Sequence, residues 1–257
     1  MMQTILFFDL DSTLVENHFS RKIVTQLLAP VAAQSGLTIR ELAQALGQEN
    51  TRRQMVDPDN PLTMDWQDIL HAVVAQYNVT LEGVLDDLWV QHAIADDIEV
   101  LDEAHAVLTK LKAEGRHLVI ATKGLSKYQI PVLQAVGLLD LFDTILTPDR
   151  TGFLKTTEAY FDAYRREHPA DLYIHVGDHY FDDVICAKRN GFASVLRAPI
   201  DDLKALDPFD RPAQIVTYKD QISTYPAEGT DVVPDALVVS LQELPSVVER
   251  LEARVGR

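Results

Sequence analysis

The sequence is short of three features, and each shortage excludes a class of protein. It has one cysteine, Cys186, so an internal disulfide is excluded and a reducing compartment, the cytoplasm, is expected. Its 23 lysines and arginines face 39 aspartates and glutamates, a formal net charge of −16, which argues against a nucleic-acid polymer or an anionic membrane as partner. No apolar run is long enough to span a membrane. The apolar run near the N-terminus ends at Asp9, so it is too short to be the apolar segment of a signal peptide.

What the sequence does contain begins near its N-terminus. The apolar run Ile5 to Phe8 leads directly into Asp9-Leu10-Asp11-Ser12-Thr13, which predicts a buried strand that ends in a loop. Residues i and i+2 of a strand face the same side, so Asp9 and Asp11 are expected to point together. A turn or a helix N-cap would also explain an isolated Asp-x-Asp, but two adjacent buried carboxylates require a cation or a shared proton.

Two kinds of pattern follow this stretch. Between about residues 18 and 97 the apolar spacing is helical, with helices expected near 20–35, 38–49, 63–77 and 80–95. That is too much chain for an ordinary crossover between parallel strands. From residue 100 onward strands and helices alternate, which predicts an α/β fold whose parallel sheet is covered on both faces.

These patterns predict two domains. The α/β core is assigned to residues 1–16 and 99–257, and an inserted all-helical domain to residues 17–98. Trp66 and Trp89 are expected in the core of the helical domain, since aromatic residues on helices usually bury their large area. The Asp- and Pro-rich stretch 199–234 is interpreted as a long loop or a hairpin around residues 215–218.

Residues of complementary chemistry follow the later strands. Thr122 follows the strand expected at 117–121, Lys155 follows 144–146, and Asp178 follows 172–176. Ligands of such sheets bind beyond the carboxyl ends of the strands, so these residues are expected to meet Asp9 and Asp11.

Each of these residues can take part in phosphoryl chemistry. Asp9 can act as a nucleophile that forms an acyl phosphate, and Asp11 can protonate the leaving oxygen and later activate water. Asp9 and Asp178 can hold Mg²⁺, a cation that prefers oxygen ligands. Thr122 offers a hydroxyl and a backbone N–H to a phosphoryl oxygen, and Lys155 adds positive charge where negative charge develops.

The same residues resemble the motifs of a known family. Asp9-Leu10-Asp11-Ser12-Thr13 resembles the first motif of the haloacid-dehalogenase-like superfamily in its phosphatase form. Thr122, Lys155 and the stretch Gly177 to Asp183 resemble the second, third and fourth motifs, in family order. The resemblance implies a Rossmann-like core with a mobile helical cap. It also implies that Asp9 is the nucleophile, that Asp11 is the acid/base, and that the backbone carbonyl of Asp11 joins Asp9 and Asp178 as a metal ligand.

Some positions depart from the family pattern or leave a choice open. Lys123 follows Thr122 where many members have Asn, so a second cation faces either the phosphate or the solvent. The spacing of the fourth motif favours Asp183 as the second acid, which orients its neighbours, and leaves Asp182 as a solvated helix start. His175, inside a strand, is expected to be a core histidine rather than a ligand.

The sequence therefore predicts a Mg²⁺-dependent phosphatase acting on a small phosphorylated metabolite. A phosphomutase fits the same residues. A dehalogenase of the family would lack a second Asp such as Asp11, and a phosphonate hydrolase would need a cap lysine, for which Lys22 alone is present. A non-catalytic module that binds a phosphorylated ligand is the remaining alternative.

Overall fold

The computed structural model describes residues 2–57 and 60–256. Its strands are, in chain order, β1 (Thr4–Phe8), β2 (Val15–Asn17), β3 (Ile98–Val100), β4 (His117–Ala121), β5 (Thr144–Leu146), β6 (Leu172–Gly177), β7 (Ala193–Arg197) and β8 (Ala236–Val238). Its α-helices are α1 (Phe19–Ser35), α2 (Ile39–Val56), α3 (Trp66–Ala75), α4 (Leu85–His92), α5 (Ala104–Ala113), α6 (Ser126–Ala135), α7 (Pro148–Thr151), α8 (Ala159–Glu167), α9 (Ala187–Arg189) and α10 (Leu244–Val255).

Six strands form one sheet in the order β5-β4-β1-β6-β7-β8, and every pair in it is parallel. All five residues of β1 are buried, because this central strand pairs with β4 on one side and β6 on the other. The predicted α/β fold with a parallel sheet is confirmed. The chain runs from β1 toward β4 and later from β6 toward β7, so the strand order reverses between β1 and β6. Such a reversal opens a crevice where ligands bind.

Helices α1 to α4 lie between β2 and β3, two short strands that pair antiparallel with Val15 opposite Val100 and Asn17 opposite Ile98. We call the chain between these two strands the helical insert. Its apolar residues recur at helical spacing: Ile23, Leu27 and Val31 of α1 are all buried. Helix α2 begins at a capping box in which Thr38 and Glu41 exchange hydrogen bonds. The β2–β3 ribbon is not predicted from the sequence, because strands of three residues are too short for a periodic pattern.

The stretch between β7 and β8 contains helical turns in place of the long loop or hairpin interpreted from the sequence. A 3₁₀ segment runs from Arg211 to Gln221 and is fixed by its first residue, which is buried. The Arg211 guanidinium donates to both carboxylate oxygens of Glu243, at 2.6 and 2.8 Å, and to the carbonyls of Leu203 and Leu237. A buried arginine with all these partners holds an irregular segment that has little apolar periodicity of its own.

The polypeptide after β6 also differs from the prediction. The sequence predicts an α-helix over 182–190, whereas residues Tyr180–Cys186 form a π-helical turn that continues into the short helix α9. Wider turns of this kind occur often at functional sites. Within the described residues, no helix combines the length and the apolar character needed to cross a membrane.

Candidate active site

The predicted site residues converge at the carboxyl ends of the strands. Asp9 follows β1, Thr122 follows β4 and Asp178 follows β6, so the parallel register places their backbones at one edge of the sheet. Lys155 and Asp183 reach the same place from the segments after β5 and β6. Together with residues of the helical insert, all of these side chains except that of Asp183 line a cavity of about 410 Å³, which we call the strand-end cavity.

Lys155 lies at the centre of the buried charges. Its ammonium Nζ is 2.7 Å from Asp9 Oδ1 and 2.7 Å from Asp183 Oδ1, and its side chain is 1% exposed. Although burial alone would lower the pKa of Lys155, the attraction of Asp183 and Asp9 raises it above its ordinary value. Lys155 is therefore a fixed positive charge in contact with the carboxylate of Asp9.

Asp183 is held from three directions and is fully buried. Besides the contact with Lys155, its Oδ1 is 2.9 Å from His175 Nε2, and its Oδ2 accepts from the backbone N–H of His179 at 2.9 Å. A Cβ added at Gly177 would lie 2.1 Å from Asp183 Oδ2, so only glycine leaves room for this carboxylate. Burial raises the pKa of Asp183, but Lys155 and His175 outweigh it and hold the pKa below its ordinary value.

The carboxylates of Asp9, Asp178 and Asp183 suit a divalent cation. Each offers an oxygen, and these oxygens lie within 4.8 Å of one another. Burial and the neighbouring Asp183 raise the pKa of Asp178 to about 6, and burial raises that of Asp9 well above its ordinary value despite Lys155. A cation at this position would relieve the repulsion that these shifts reflect. The hydroxyl of Thr13 donates to Asp178 Oδ1 at 3.2 Å and orients that carboxylate.

Asp11 faces the strand-end cavity and is reached by water there. The surrounding protein still limits its hydration, which raises the pKa of Asp11. Its Oδ2 accepts a hydrogen bond of 2.9 Å from Gln129 Nε2. The sequence does not predict the role of Gln129. Its position on a helix face shared with apolar residues that the structure buries is the feature that could have indicated it. A Cβ added at Gly124 would come within 1.9 Å of Gln129 Nε2, so Gly124 makes room for this contact.

Thr122 corrects one expectation from the sequence. Its backbone N–H donates to the carbonyl of Leu146 at 3.3 Å, because β4 and β5 pair up to that point, so this N–H is not free for a ligand. The hydroxyl of Thr122 accepts from the backbone N–H of Gly124 at 3.2 Å. That contact occupies an oxygen lone pair and leaves the hydroxyl hydrogen available to a ligand oxygen in the cavity.

Lys123 and Asp182 form a second, more accessible ion pair at the cavity. Lys123 Nζ is 3.1 Å from Asp182 Oδ2, with the lysine side chain 28% exposed. Asp182 is 4% exposed, so the expected solvated helix start is wrong: the π-helical turn brings Asp182 inward with Asp183. Burial raises the pKa of Asp182, but hydrogen bonding to His179 and the charge of Lys123 bring it below its ordinary value.

The helical insert contributes the outer wall of the strand-end cavity. Met64, Trp66 and Trp89 line it together with the residues of the core. Trp66 and Trp89 pack against the apolar core of the insert, as expected, but each is only partly buried, because one side of the ring faces the cavity. Their role as lining residues was not predicted.

Direct contacts join the insert to α6 of the core. The Trp89 indole N–H donates to the carbonyl of Tyr128 at 2.8 Å, and the Tyr128 hydroxyl is 2.8 Å from Asp86 Oδ1 and accepts from the Gln67 N–H at 3.0 Å. Lys127 Nζ lies 2.7 Å from an Asp86 oxygen. These contacts hold the insert over the strand ends.

Comparison with known proteins adds three findings. A family model described as haloacid dehalogenase-like hydrolase matches residues 4–191. A ribulose-1,5-bisphosphate 5-phosphatase of Halopiger xanaduensis is 28% identical over 143 residues, or 55% of this chain, and the match spans 59% of the relative's length.

Solved structures with the same fold include two that cover nearly the whole chain. A HAD phosphatase from Thermococcus onnurineus has a TM-score of 0.69 at 19% identity, covering 96% of this chain and 98% of that one. A 2-haloacid dehalogenase from Pseudomonas syringae pv. Tomato DC3000 has a TM-score of 0.65 at 21% identity, covering 98% and 100%. At these identities the likeness concerns the fold.

Proposed function

This chain belongs to the haloacid dehalogenase-like hydrolases, and we propose that it is a Mg²⁺-dependent phosphatase of a small-molecule phosphate monoester. The observation that carries the proposal is the contact of the buried Lys155 ammonium with the Asp9 carboxylate, in a cavity that Asp11 and Asp178 also line. The phosphatase relative from Halopiger xanaduensis supports this choice of reaction. Residues 17–98 act as a cap over a core made of 1–16 and 99–257.

The substrate's phosphoryl group binds between the strand ends and the cap. The Thr122 hydroxyl donates to one phosphoryl oxygen, and Lys155 and Lys123 supply positive charge where negative charge develops. Lys155 also orients Asp9 for attack and favours its ionised form against the effect of burial. Fixed charges in a site with little water act more strongly than they would in bulk solvent.

Hydrolysis then proceeds in two displacements. An oxygen of Asp9 forms a bond to phosphorus while the bond from phosphorus to the ester oxygen breaks, and Asp11 gives its proton to the leaving oxygen. In the second step a water molecule gives a proton to Asp11 while the oxygen of that water bonds to phosphorus. The bond between Asp9 and phosphorus breaks, which releases phosphate and restores the carboxylate. Gln129 keeps Asp11 in place for both transfers.

Asp9, Asp178 and the backbone carbonyl of Asp11 would hold Mg²⁺, and Asp183 would orient the site through Lys155 and the His179 backbone. When bound, the ion neutralises clustered carboxylates and withdraws charge from the phosphoryl oxygens. The buried free thiol of Cys186 agrees with a reducing, cytoplasmic location.

Asp11 separates this proposal from dehalogenation. A halide leaves without a proton, whereas the alkoxide of a phosphate ester leaves readily only when it is protonated. Lys22, the cap lysine that a phosphonate hydrolase would need, pairs instead with Asp97 and does not line the strand-end cavity. A phosphomutase uses the same groups and differs only in the second displacement, where a hydroxyl of the substrate, and not water, accepts the phosphoryl group.

The test is phosphate release from a panel of phosphate monoesters, with Mg²⁺ and then with a chelator. We expect release that requires the metal and that is abolished in Asp9→Asn, with the variant's circular dichroism unchanged. Full activity of Asp9→Asn would contradict the mechanism. An isomeric phosphate ester as the product, without free phosphate, would identify a mutase.

A further inference from the structure

A second cavity lies beside the strand-end cavity, inside the helical insert. It has a volume of about 490 Å³ and is lined by faces of α1, α2 and α4 together with the start of α3 and β2. We call it the insert cavity. The two cavities share Asp11, Trp66 and Trp89, so they adjoin at the residue proposed to protonate the leaving oxygen. A volume of this size suits a small organic group.

The lining of the insert cavity is mainly apolar. Val24, Leu46, Leu85 and the two tryptophans supply most of its wall, and Ala43 and Gly47 leave space on α2. Ala43, Leu46 and Gly47 are spaced i, i+3 and i+4, so they form one face of that helix. Apolar walls with few polar groups select ligands by shape and by burial of apolar surface.

Charge in the insert cavity excludes an anion. Among the described residues that line it there is no lysine, arginine or histidine, and Glu16 places a carboxylate at its edge. Three cations of the insert are paired with carboxylates: Arg52 and Arg53 bind Glu49 at 2.7 and 2.8 Å, and Lys22 pairs with Asp97. A second phosphate or a carboxylate on the leaving group would meet a like charge and lose its hydration without compensation.

The position of Asp11 decides which cavity receives the leaving group. A third cavity of about 580 Å³ opens on the side of Lys123, His179 and Arg189, but Asp11 does not line it. Since the proton for the ester oxygen comes from Asp11, the organic group bonded to that oxygen extends into the insert cavity.

We infer that the substrate is the phosphate monoester of an uncharged, mainly apolar alcohol, whose organic group occupies the insert cavity. This inference rests on the proposed phosphatase function. Hydroxyl groups on the alcohol are accommodated where they can donate to Glu16. Bisphosphates and phosphorylated carboxylic acids are poor substrates.

A matched pair of esters tests the inference by turnover. Cyclohexylmethyl phosphate and its analogue with a carboxylate at ring carbon 4 share the ring and the phosphate, and the analogue adds a compact negative group that would enter the insert cavity. We expect kcat/KM to be at least about tenfold higher for the uncharged ester, which is the scale of discrimination by a pocket of this kind. Ribulose 1,5-bisphosphate serves as a second anionic probe with the same expectation.

Gly47 allows the cavity to be filled at little cost to the fold. It lies within α2, and a Cβ added there meets no atom within 4 Å. Gly47→Phe is expected to lower kcat/KM for cyclohexylmethyl phosphate about tenfold, and to affect methyl phosphate much less, because methanol does not reach the cavity. The matched control is Gln48→Phe, at the next, exposed position of the helix, which should leave both esters unchanged.

Tryptophan fluorescence gives a readout independent of turnover. The chain has two tryptophans, and both line the insert cavity. Cyclohexylmethanol should therefore shift the emission of the wild type and of Asp9→Asn, but not that of Gly47→Phe.

The outcomes separate the two proposals. Absence of turnover with every ester would remove the phosphatase function, and with it the substrate class. If the esters are turned over but the carboxylated analogue is preferred, the inference is wrong and the phosphatase function stands. The same follows if Gly47→Phe and Gln48→Phe have equal kcat/KM for cyclohexylmethyl phosphate. Turnover without any emission change in the wild type would lead to the same conclusion.

Discussion

The two halves of the site are built on opposite principles. At the strand ends, the buried Lys155 ammonium lies 2.7 Å from Asp9 and 2.7 Å from Asp183, on backbone fixed by the parallel sheet. In the helical insert, the cavity wall consists of apolar faces of helices. A change among the buried charges leaves a partner uncompensated, whereas a change on a helix face alters only local shape. The proposed reaction chemistry and the proposed selection of the leaving group therefore depend on different kinds of interaction and can be changed separately.

The largest effect is expected from Asp11→Asn, which acts where the two halves meet. Loss of the proton donor should lower kcat for an alkyl phosphate by about 10²- to 10⁴-fold. 4-Nitrophenyl phosphate, whose leaving group departs without a proton, should still give a rapid burst of nitrophenolate, followed by slow turnover of the phosphorylated enzyme. Rapid-mixing kinetics measures both phases. An equal loss in the burst and in steady turnover would contradict the role given to Asp11.

Lys155→Met tests the charged half through stability. Removing the ammonium leaves Asp9 and Asp183 buried without their countercharge, so the free energy of unfolding should fall by about 3–5 kcal/mol. The matched control is Lys123→Met. Its lysine is more accessible, and the buried Asp182 keeps His179 as a partner, so its cost should be smaller, about 1–2 kcal/mol. Denaturant unfolding compares the two, and similar losses would remove the distinction between buried and accessible pairs.

Tyr128→Phe loosens the contact between the halves. It removes the acceptor of the Gln67 backbone N–H and the donor to Asp86, which should cost about 1–2 kcal/mol. We expect faster hydrogen exchange in α3 and α4, with the sheet unchanged. Tyr77→Phe is the control, since within the described residues the Tyr77 hydroxyl makes no hydrogen bond. Exchange that accelerates equally in both variants would show that the hydroxyl of Tyr128 does not hold the insert in place.

The smallest effect concerns Glu49, a carboxylate of the insert whose pKa is strongly shifted. Hydrogen bonds from Arg52 and Arg53 lower the pKa of Glu49 to about 2, below its unfolded value of about 4.3. Its contribution is therefore present above about pH 4.3 and is lost as the pH falls toward 2. Unfolding followed against pH should show a loss of less than about 1 kcal/mol in the wild type that Glu49→Gln lacks. Parallel curves would contradict the shift, and Glu82→Gln, at an exposed position, is the control.

The sequence was most informative where hydrophobic pattern and motif coincide. Short apolar runs predict the strands before Asp9, Thr122 and Asp178, and parallel strands necessarily bring their carboxyl ends together. Contacts that depend on the register of strand pairing could not be predicted from the sequence. The loss of the Thr122 N–H to Leu146 follows from the pairing of β4 with β5, which no local pattern encodes.

Irregular backbone accounts for most other differences. The inward position of Asp182 follows from a π-helical turn, a rare geometry that the spacing of apolar residues in the sequence does not reveal. Gln129 reaches Asp11 only because Gly124 gives it room, which is a tertiary contact. In physical terms, local propensity and periodicity determine the elements, whereas close packing determines which polar groups meet.

The β2–β3 ribbon has an engineering consequence. Asn17 and Ile98 lie opposite each other, so the chain enters and leaves the helical insert at the same place. A tight turn joining the two strands would replace the whole insert, because insertions whose ends are adjacent in space can be removed or exchanged with little effect on the host. Under the proposed function, a foreign helical domain grafted at this ribbon is expected to keep the reaction and to change the range of alcohols released from the substrate.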